Sequence, residues 1–329
     1  MLVASWIIMA LIGYLSILGA RLVTVRGVHP FEPMVIGIVV GALARNLNLM
    51  PLQWKPYLKK FETPLLLGIV LLGVGFSVDI ARAGLLSLVV ILATMSVGFF
   101  FIYFMGRSLG LPSKLSALLA VGTTICGGTA IAITAPLIKA KEEETSYSVS
   151  TIVIAAFILL ITLPFVGKLL HLSEIAFGVW AGSAVHNTPQ TIGTGYIYGE
   201  TSGQVATMVK LTRNMFMIVL AFLVAVWSNA RERSGKKLGI KEILKAFPWF
   251  LFGYVGIAAL KLLNVFTPQG IVYFLETGKF LILMGMVGIG FGTDFRDIKK
   301  LGIKPLAVGL SGAAVVALVS LGMVVMFHF

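Results

Sequence analysis

Residues 208–222 read MVKLTRNMFMIVLAF, and the two cations in this apolar stretch, Lys210 and Arg213, constrain how the chain can fold. The apolar run after Asn214 is only about 14 residues long, whereas a helix needs roughly 20 residues to cross a bilayer. The helix must therefore begin near Ser202. At about 1.5 Å per residue, Lys210 and Arg213 then lie roughly 12 and 16 Å from its start, on one face and near mid-membrane.

A charge at the centre of a bilayer costs about 2.5–3.5 kcal/mol, so both side chains must face the interior of a helix bundle or water. A structural ion pair would offset this cost, but the acidic candidates Asp79 and Asp294 are expected near the ends of their segments. Snorkelling to the membrane surface is a further alternative. We expect instead that the two uncompensated cations bind an anionic ligand.

The composition predicts an all-α polytopic membrane protein. Hydrophobic residues make up 58% of the chain and charged residues 12%, and the mean hydropathy is +0.99. We expect one integral membrane domain over residues 1–329, with the apolar run 2–20 as a first helix rather than a cleaved signal. Basic membrane loops explain the net charge of +13 better than a nucleic-acid partner does. The single cysteine, Cys126, excludes an intramolecular disulfide.

Runs of roughly 20 mostly apolar residues predict ten to eleven transmembrane helices. The eleven segments are 2–22, 33–48, 63–81, 84–106, 113–139, 147–168, 174–195, 203–229, 246–263, 277–295 and 303–327. With a cytoplasmic N-terminus, 17 Lys and Arg residues fall in cytoplasmic connections and 5 in outer ones. This bias predicts a multi-pass protein of the inner (cytoplasmic) membrane with its N-terminus in the cytoplasm and its C-terminus outside.

Two pairs of similar stretches suggest an internal repeat. GVGFSVD (73–79) resembles GIGFGTD (288–294), and the two predicted segments run in opposite directions. GTTICGGTA (122–130) resembles GSAVHNTPQ (182–190) more weakly, in segments that are predicted to run parallel. Inverted repeats are typical of secondary transporters. We predict five helices inverted onto five, with an extra first helix and with the fifth segment paired with the tenth, and chance similarity is the alternative.

The stretch GTTICGGTAIAITAP (122–136) combines three glycines, four threonines and a proline with apolar residues. Adjacent glycines favour a break in a helix. Broken backbone at membrane depth must face protein or a water-filled cavity, and the free N–H groups that start a half-helix attract anions. Close helix packing through small residues is the alternative.

The stretch WAGSAVHNTPQTIGTGY (180–196) carries His186, Asn187 and Gln190 around the helix-breaking Pro189. A lone buried histidine is usually a satisfied core residue. Several hydrogen-bonding side chains around one proline favour a polar cavity instead. Histidine and asparagine offer donors for a small oxyanion, and His186 could also carry a proton.

These stretches resemble the proposed sulfate exporter family of bacterial and archaeal membrane proteins. The resemblance covers nearly the whole chain. It rests on TTICGGTAIA (123–132), FGVWAGSAVHNTPQ (177–190), KLTR (210–213), FPWF (247–250) and GFGTDFRDIKKLGIKPL (290–306).

The resemblance implies export of sulfate or a sulfonate and a fold similar to bile-acid/sodium symporters, with inverted five-helix repeats, broken crossing helices and a moving core. The resemblance also implies that residues 126–128, His186, Gln190, Lys210 and Arg213 of this chain correspond to the family's motif positions. The family pattern has an acidic residue directly after the histidine, where this chain has Asn187. Coupling through a carboxylate at that position is therefore not expected here.

The resulting prediction is an elevator-type secondary transporter of a small anion, and not an enzyme. The candidate substrate-binding residues are Thr123, Thr124, Cys126, Gly127, Gly128, Thr129, His186, Asn187, Gln190, Lys210 and Arg213. An anion channel and a membrane enzyme with a Cys126–His186 pair are the alternatives. No phosphate-binding GxxxxGK[ST] loop occurs in the sequence.

The predicted partners are the lipid bilayer and a small anionic substrate, and a homodimer follows by analogy alone. No cofactor is expected, although H⁺ or Na⁺ could serve as coupling ion. The four histidines are scattered, and no carboxylates accompany them as a metal site would require.

Overall fold

The computed structural model describes residues 2–22, 32–49, 53, 54, 57, 60, 63–217, 219, 220, 223, 224, 226, 249–294, 296 and 302–329. Every regular element in these ranges is a helix, which confirms the all-α prediction for this part of the chain. The ends of the predicted segments 203–229 and 246–263, and the basic connection between them, lie outside the described residues.

The helices, numbered in chain order, follow the predicted segments with several differences. They are α1 (Leu2–Leu22), α2 (Pro33–Asn46), α3 (Thr63–Leu72), α4 (Val78–Ser108), α5 (Ser113–Thr124), α6 (Gly128–Leu137), α7 (Glu142–Leu169), α8 (Glu174–Ala184), α9 (Thr188–Tyr198), α10 (Glu200–Met215), α11 (Trp249–Leu262), α12 (Pro268–Gly292) and α13 (Ile303–Met326).

Five of the described helices, α1, α4, α7, α12 and α13, are long and apolar enough to cross a membrane. The helices α2, α3, α6 and α11 are apolar but shorter. The described part of the chain therefore has the composition of a multi-pass membrane protein.

The predicted span 113–139 is a helical hairpin and not a single crossing. α5 and α6 are separated by residues 125–127. Lys114 Nζ, at the start of α5, donates to the Lys139 carbonyl, just beyond α6, at 3.1 Å. A continuous helix would separate these two residues by about 37 Å. The two helices, called hairpin 1 below, therefore fold back on each other.

The predicted span 174–195 is likewise a hairpin, made of α8 and α9 with residues 185–187 between them. The Glu174 carboxylate, at the start of α8, accepts a hydrogen bond from the Ser202 N–H at 3.2 Å. A Cβ on Gly199, the residue after α9, would collide with the same carboxylate. Both ends of this element, called hairpin 2 below, therefore lie together.

The two hairpins begin at opposite ends of α7. Hairpin 1 directly precedes α7, and hairpin 2 follows it, with the Tyr198 hydroxyl donating to the Gly167 and Leu172 carbonyls. α7 has 28 residues and is about 42 Å long. With 12 and 11 residues, α5 and α8 reach about 18 and 17 Å inward from its two ends. The tips therefore meet about halfway along α7.

α10 returns from the base of hairpin 2 toward both tips. It runs parallel to α8, because Gly178 packs on Val205 and Gly182 packs on Val209. Small residues at these positions let the two backbones approach closely. The predicted start near Ser202 is close to the observed start at Glu200. α10 thereby carries Lys210 and Arg213 to the level of the tips.

The described residues group into two compact units. Unit 1 comprises Met1–Val78 and Trp249–Arg296, and unit 2 comprises Asp79–Pro248 and Asp297–Phe329. Each unit takes segments from both halves of the chain, so neither is a contiguous domain. The single domain over residues 1–329 stays a prediction.

Unit 1 is held by close backbone crossings. A Cβ on Gly41 of α2 would collide with the Val287 carbonyl of α12. Where α12 ends, Asp294 pairs with Arg45 of α2 at 3.0 Å and with Arg296 at 2.9 Å. Hydrogen bonds from Arg296, assisted by the charge of Arg45, lower the pKa of Asp294 to about 2. Asp294 therefore stays ionised at neutral pH.

Unit 2 contains the hairpins, α4, α7, α10 and α13. α13 packs antiparallel to α4, because Val316 lies against Gly98 and Ile102 lies against Gly312. It also anchors hairpin 2, since Trp180 Nε1 donates to the Ala317 carbonyl at 2.8 Å. A continuous apolar core surrounds the two tips.

The two hairpins predict from which side of the membrane particular residues can be labelled. In a Cys126→Ser background, Lys114→Cys and Lys139→Cys should both react with a membrane-impermeant maleimide from the same side of the membrane, because they flank one hairpin. Lys168→Cys, at the far end of α7, should react only from the opposite side. Labelling of Lys114→Cys and Lys139→Cys from opposite sides would show that residues 113–139 cross the membrane.

Candidate functional site

The tip of hairpin 1 depends on Gly127. Its N–H donates back to the Gly122 carbonyl at 2.9 Å, and this closes the turn after α5. Gly127 has φ +70°, a left-handed conformation that a side chain disfavours. α6 begins at the next residue, Gly128. The predicted break in this stretch is therefore confirmed, and glycine is the residue that permits the chain to reverse.

The tip of hairpin 2 lies directly against it. Asn187 precedes α9 in an extended conformation, and Pro189 occupies the first turn, where its missing N–H leaves no helical bond unmade. A Cβ on Gly127 would lie 3.5 Å from Asn187 Cβ. His186 Nδ1 and the Thr123 carbonyl are 2.9 Å apart across the two tips.

Lys210 binds carbonyls from both tips. Its Nζ donates to the Ile125 carbonyl of hairpin 1 at 2.8 Å. It also donates to the Val185 and His186 carbonyls of hairpin 2, at 2.8 and 2.5 Å. An ammonium group has three protons, so these bonds use its whole donor capacity.

Arg213 joins the same two tips one turn further along α10. Its guanidinium donates to the Thr123 and Thr124 carbonyls of hairpin 1, both at 2.7 Å. It donates to the Ser183 and Val185 carbonyls of hairpin 2 at 2.7 and 3.3 Å. Lys210 and Arg213 are 0% and 1% exposed, so water contributes almost nothing to their solvation.

The carbonyls of Thr123, Thr124 and Ser183 are in the last turns of α5 and α8, where carbonyls have no partners within their own helices. The three carbonyls that Lys210 binds lie in the turns directly after these helices. The C-terminus of a helix carries about half a negative charge, so a cation is stabilised there. The sequence pattern favoured an anionic ligand over an acidic partner for the two cations, and backbone carbonyls are their partners instead. Among the described residues, no aspartate or glutamate forms an ion pair with either cation.

The starts of α6 and α9 meet at the same tips. No described residue accepts a hydrogen bond from the N–H groups of Gly128, Thr129 and Thr188. Thr129 is exposed and Asn187 is partly exposed. A Cβ on Gly128 would meet nothing within 4 Å, so space is open beside the start of α6. The positive end of α6 therefore borders an accessible space, and the partly exposed Asn187 before α9 lies at the same tips.

Buried polar groups without described partners surround the tips. They are His186 Nε2, Thr123 Oγ1, both polar side-chain atoms of Gln190, and Asn214 Oδ1. Asn214 Nδ2 donates to the Thr188 hydroxyl at 3.2 Å, which links α10 to the start of α9. Buried polar groups are normally bonded to protein, water or a ligand. This cluster is therefore suited to bind water molecules or a polar ligand.

Cys126 and His186 do not form a hydrogen-bonded pair in the described structure. Cys126 Sγ lies 3.2 Å from Met217 Sδ, and His186 Nδ1 bonds the Thr123 carbonyl instead. The Thr124 hydroxyl is used within α5, where it donates to the Ala120 carbonyl at 2.7 Å. Thr124 therefore contributes its backbone carbonyl to the site, and not its hydroxyl.

All of the sequence-predicted site residues lie on the two tips, on the first turn of α6 or α9, or on α10. The sequence reasoning missed Thr188 and Asn214, although each directly follows a candidate residue in the chain. It also missed the carbonyls of residues 123–125, 183, 185 and 186, because backbone acceptors carry no residue-specific signal. Among the described residues, no three His, Cys, Asp or Glu side chains are grouped to hold a metal.

Comparisons with known proteins connect this chain to a family of membrane proteins. A family model described as "Conserved hypothetical protein 698" matches residues 4–309. A UPF0324 membrane protein of Bacillus cereus is 33% identical over 261 residues, covering 79% of this chain and 76% of the relative. One from Clostridium tetani is 30% identical over 267 residues, covering 77% of each. One from Agrobacterium fabrum is 28% identical over 323 residues, covering 97% of this chain and 92% of the relative.

The long apolar helices and the membrane relatives together define a multi-pass helical membrane protein. The chain belongs to the family described as conserved hypothetical protein 698, and the relatives named above are UPF0324 membrane proteins. The resemblance to a bacterial membrane family is thereby confirmed at this level. Sulfate export and a symporter-like fold stay predictions.

Removing the Arg213 guanidinium should destabilise the protein strongly. Arg213→Gln would leave buried carbonyls of both hairpins without their charged donor, so we expect a loss of about 3 kcal/mol or more. Arg107→Gln, which removes an exposed guanidinium at the end of α4, serves as the control. Thermal unfolding in detergent would measure both. Equal, small changes in the two variants would contradict the structural role of Arg213.

Proposed function

We propose that this protein is a secondary transporter of a small anion, such as sulfate, a sulfonate or a related oxyanion. The anion would bind at the meeting point of the two hairpin tips. The observation that carries the proposal is a buried, uncompensated positive charge beside an accessible space at the starts of α6 and α9.

The charge balance at the tips supports an anionic ligand. The C-terminal ends of α5 and α8 contribute about −1 elementary charge together, and the starts of α6 and α9 contribute about +1. The helix ends therefore cancel, and the two full charges of Lys210 and Arg213 remain. An uncompensated buried charge is costly, so a bound anion would stabilise the site.

The proposed ligand donors differ from those expected from sequence. The donor groups of Lys210 are already bonded to carbonyls, so it would act through its charge and through the position it gives the tips. The N–H groups of Gly128, Thr129 and Thr188 and the side chains of Thr129 and Asn187 would contact the anion. Helix N-termini of this kind commonly bind oxyanions.

An inverted repeat is consistent with the helix directions within each unit. In unit 2, hairpin 1 with α7 runs opposite to hairpin 2 with α10, and α4 runs opposite to α13. In unit 1, α3 runs opposite to α12, because Gly68 lies against Gly278 and Leu65 lies against Gly285. α2 and α11 would form the remaining pair. The similar stretches 73–79 and 288–294 then lie at equivalent positions in the two repeats, and so do the stretches 122–130 and 182–190 in the two hairpins.

This proposal uses a different pairing from the one expected from sequence, in which the fifth segment matched the tenth. Hairpin 1, in the fifth segment, would pair with hairpin 2, in the seventh. The repeats would contain α2, α3, α4, hairpin 1 and α7 in the first half of the chain. The second repeat would contain hairpin 2, α10, α11, α12 and α13. The order of its elements along the chain differs from that of the first repeat, because hairpin 2 and α10 come before the counterparts of α2, α3 and α4.

The hairpins also strengthen the proposed orientation. If the N-terminus is cytoplasmic, hairpin 1 places Lys139 and Lys141 on the cytoplasmic side, and Lys168 moves to the outer side. The difference between the numbers of cytoplasmic and outer Lys and Arg residues is then larger than in the eleven-span prediction. The positive-inside rule favours such a difference. The proposal therefore keeps an inner-membrane location with the C-terminus outside. Alternating access would be of the elevator type, with unit 2 as the moving part.

Anion-dependent stability tests the proposal. We would measure thermal unfolding of purified protein against sulfate, sulfite, thiosulfate, taurine, sulfoacetate, bicarbonate and small carboxylates. An anion at about 100 times its Kd should stabilise the native protein by roughly 2.7 kcal/mol. Gly128→Leu should abolish this effect by filling the open space at the start of α6. Gly256→Leu, at an equally open glycine of α11, should keep it.

Two results would contradict the proposal: no anion stabilises the protein, or Gly128→Leu responds as the native protein does. With a binding anion in hand, flux into liposomes separates the mechanisms. Saturable flux coupled to a counter-ion is expected of a carrier, whereas flux that follows voltage alone would identify a channel. Unchanged flux in Cys126→Ser would exclude a thiol-dependent enzyme.

A further inference from the structure

The environment of the Lys210 ammonium resembles a binding site for a monovalent metal ion more than a helix cap. Its three acceptors are backbone carbonyls from two separate chain breaks, those of Ile125, Val185 and His186. The ammonium group is fully buried. No carboxylate among the described residues pairs with it.

Secondary transporters commonly hold a coupling sodium ion with this set of ligands. Unwound carbonyls and the C-terminal ends of half-helices coordinate Na⁺ where discontinuous helices meet at mid-membrane. Here the same kinds of oxygen atom, at the ends of α5 and α8, surround a charged nitrogen. The nitrogen carries the same single positive charge, but the Lys210 side chain attaches it covalently to α10.

A second lysine shows the contrast with an ordinary cap. Lys261 Nζ, at the end of α11, donates to one carbonyl, that of Phe76, at 2.8 Å and is only partly buried. One carbonyl does not form a cage for a cation. Lys210 is therefore distinguished by its number of acceptors, by their origin in two hairpins and by its complete burial.

We propose that the Lys210 ammonium is a built-in cation that occupies a sodium-type carbonyl site between the two hairpin tips. The site is permanently filled, so the tips assemble without Na⁺ and the native protein does not use Na⁺ at this position. This inference deepens the proposed transport function, because it removes sodium from the possible coupling ions at the tips. Its structural claim holds whether or not an anion is transported.

Removing the side chain should uncover the site. Lys210→Ala leaves three carbonyls around a space that a small monovalent cation can fill. Its unfolding temperature should rise with NaCl concentration when choline chloride keeps the ionic strength and the chloride concentration constant. The native protein should unfold at the same temperature in every mixture. Lys210→Ala should be purified in sodium and then exchanged into choline.

Two control variants separate site filling from general salt effects. Lys210→Met fills the space with an apolar chain and should show no sodium dependence. Lys261→Ala removes the single-carbonyl lysine and should show none either. Potassium and lithium titrations of Lys210→Ala would report the size of the uncovered site.

Each outcome decides the inference without reference to a substrate. Sodium-dependent stability in Lys210→Ala alone supports it. Sodium-dependent stability of the native protein would overturn it, as would identical unfolding of Lys210→Ala in sodium and choline. Failure of Lys210→Ala to fold in sodium as well as in choline would also overturn it, because a carbonyl site should accept the free ion. Anion binding by the native protein is measured separately, so either claim can fail alone.

Discussion

The structure of unit 2 depends on the bonds between two buried cations and the carbonyls at the ends of two half-helices. Two chain reversals inside unit 2 leave buried backbone acceptors, and each would be costly if left without a donor. Two cations at the same depth would be equally costly alone. Lys210 and Arg213 satisfy both requirements together, since their donors bind carbonyls at the ends of α5 and α8 and in the turns that follow them. The hairpins and α10 therefore require one another.

This constraint explains how the site is arranged. The cations occupy the negative ends of α5 and α8, so the positive ends of α6 and α9 remain free at the same tips. The net charge of the cations then acts on a space bordered by unbonded N–H groups of Gly128 and Thr188. In the proposed transport function, Lys210 and Arg213 would build and charge the anion site without having to touch the anion. The same geometry makes the Lys210 ammonium equivalent to a bound metal cation.

Much of this could be predicted from sequence, and the remainder has physical reasons. The helical class and the breaks near Gly127 and Pro189 followed from apolar run length and backbone chemistry. The reversal at each break could not be predicted, because a run of about 25 apolar residues fits one crossing or two half-crossings equally well. The partners of the cations were missed for a similar reason, since every residue has a carbonyl and only the fold selects which ones meet.

Cross-linking of the two tips tests the central claim most directly. In a Cys126→Ser background, Gly127→Cys and Asn187→Cys should form a disulfide in native membranes under mild oxidation, because a Cβ on Gly127 lies 3.5 Å from Asn187 Cβ. Residue 127 has φ +70°, which a side chain disfavours, so the test requires that the Gly127→Cys single variant first shows a cooperative unfolding transition under reducing conditions. Gly127→Cys with Glu200→Cys, at the exposed start of α10 beside the distant base of hairpin 2, should remain reduced. If the first pair stays reduced, or both pairs cross-link equally, the hairpins do not meet tip to tip.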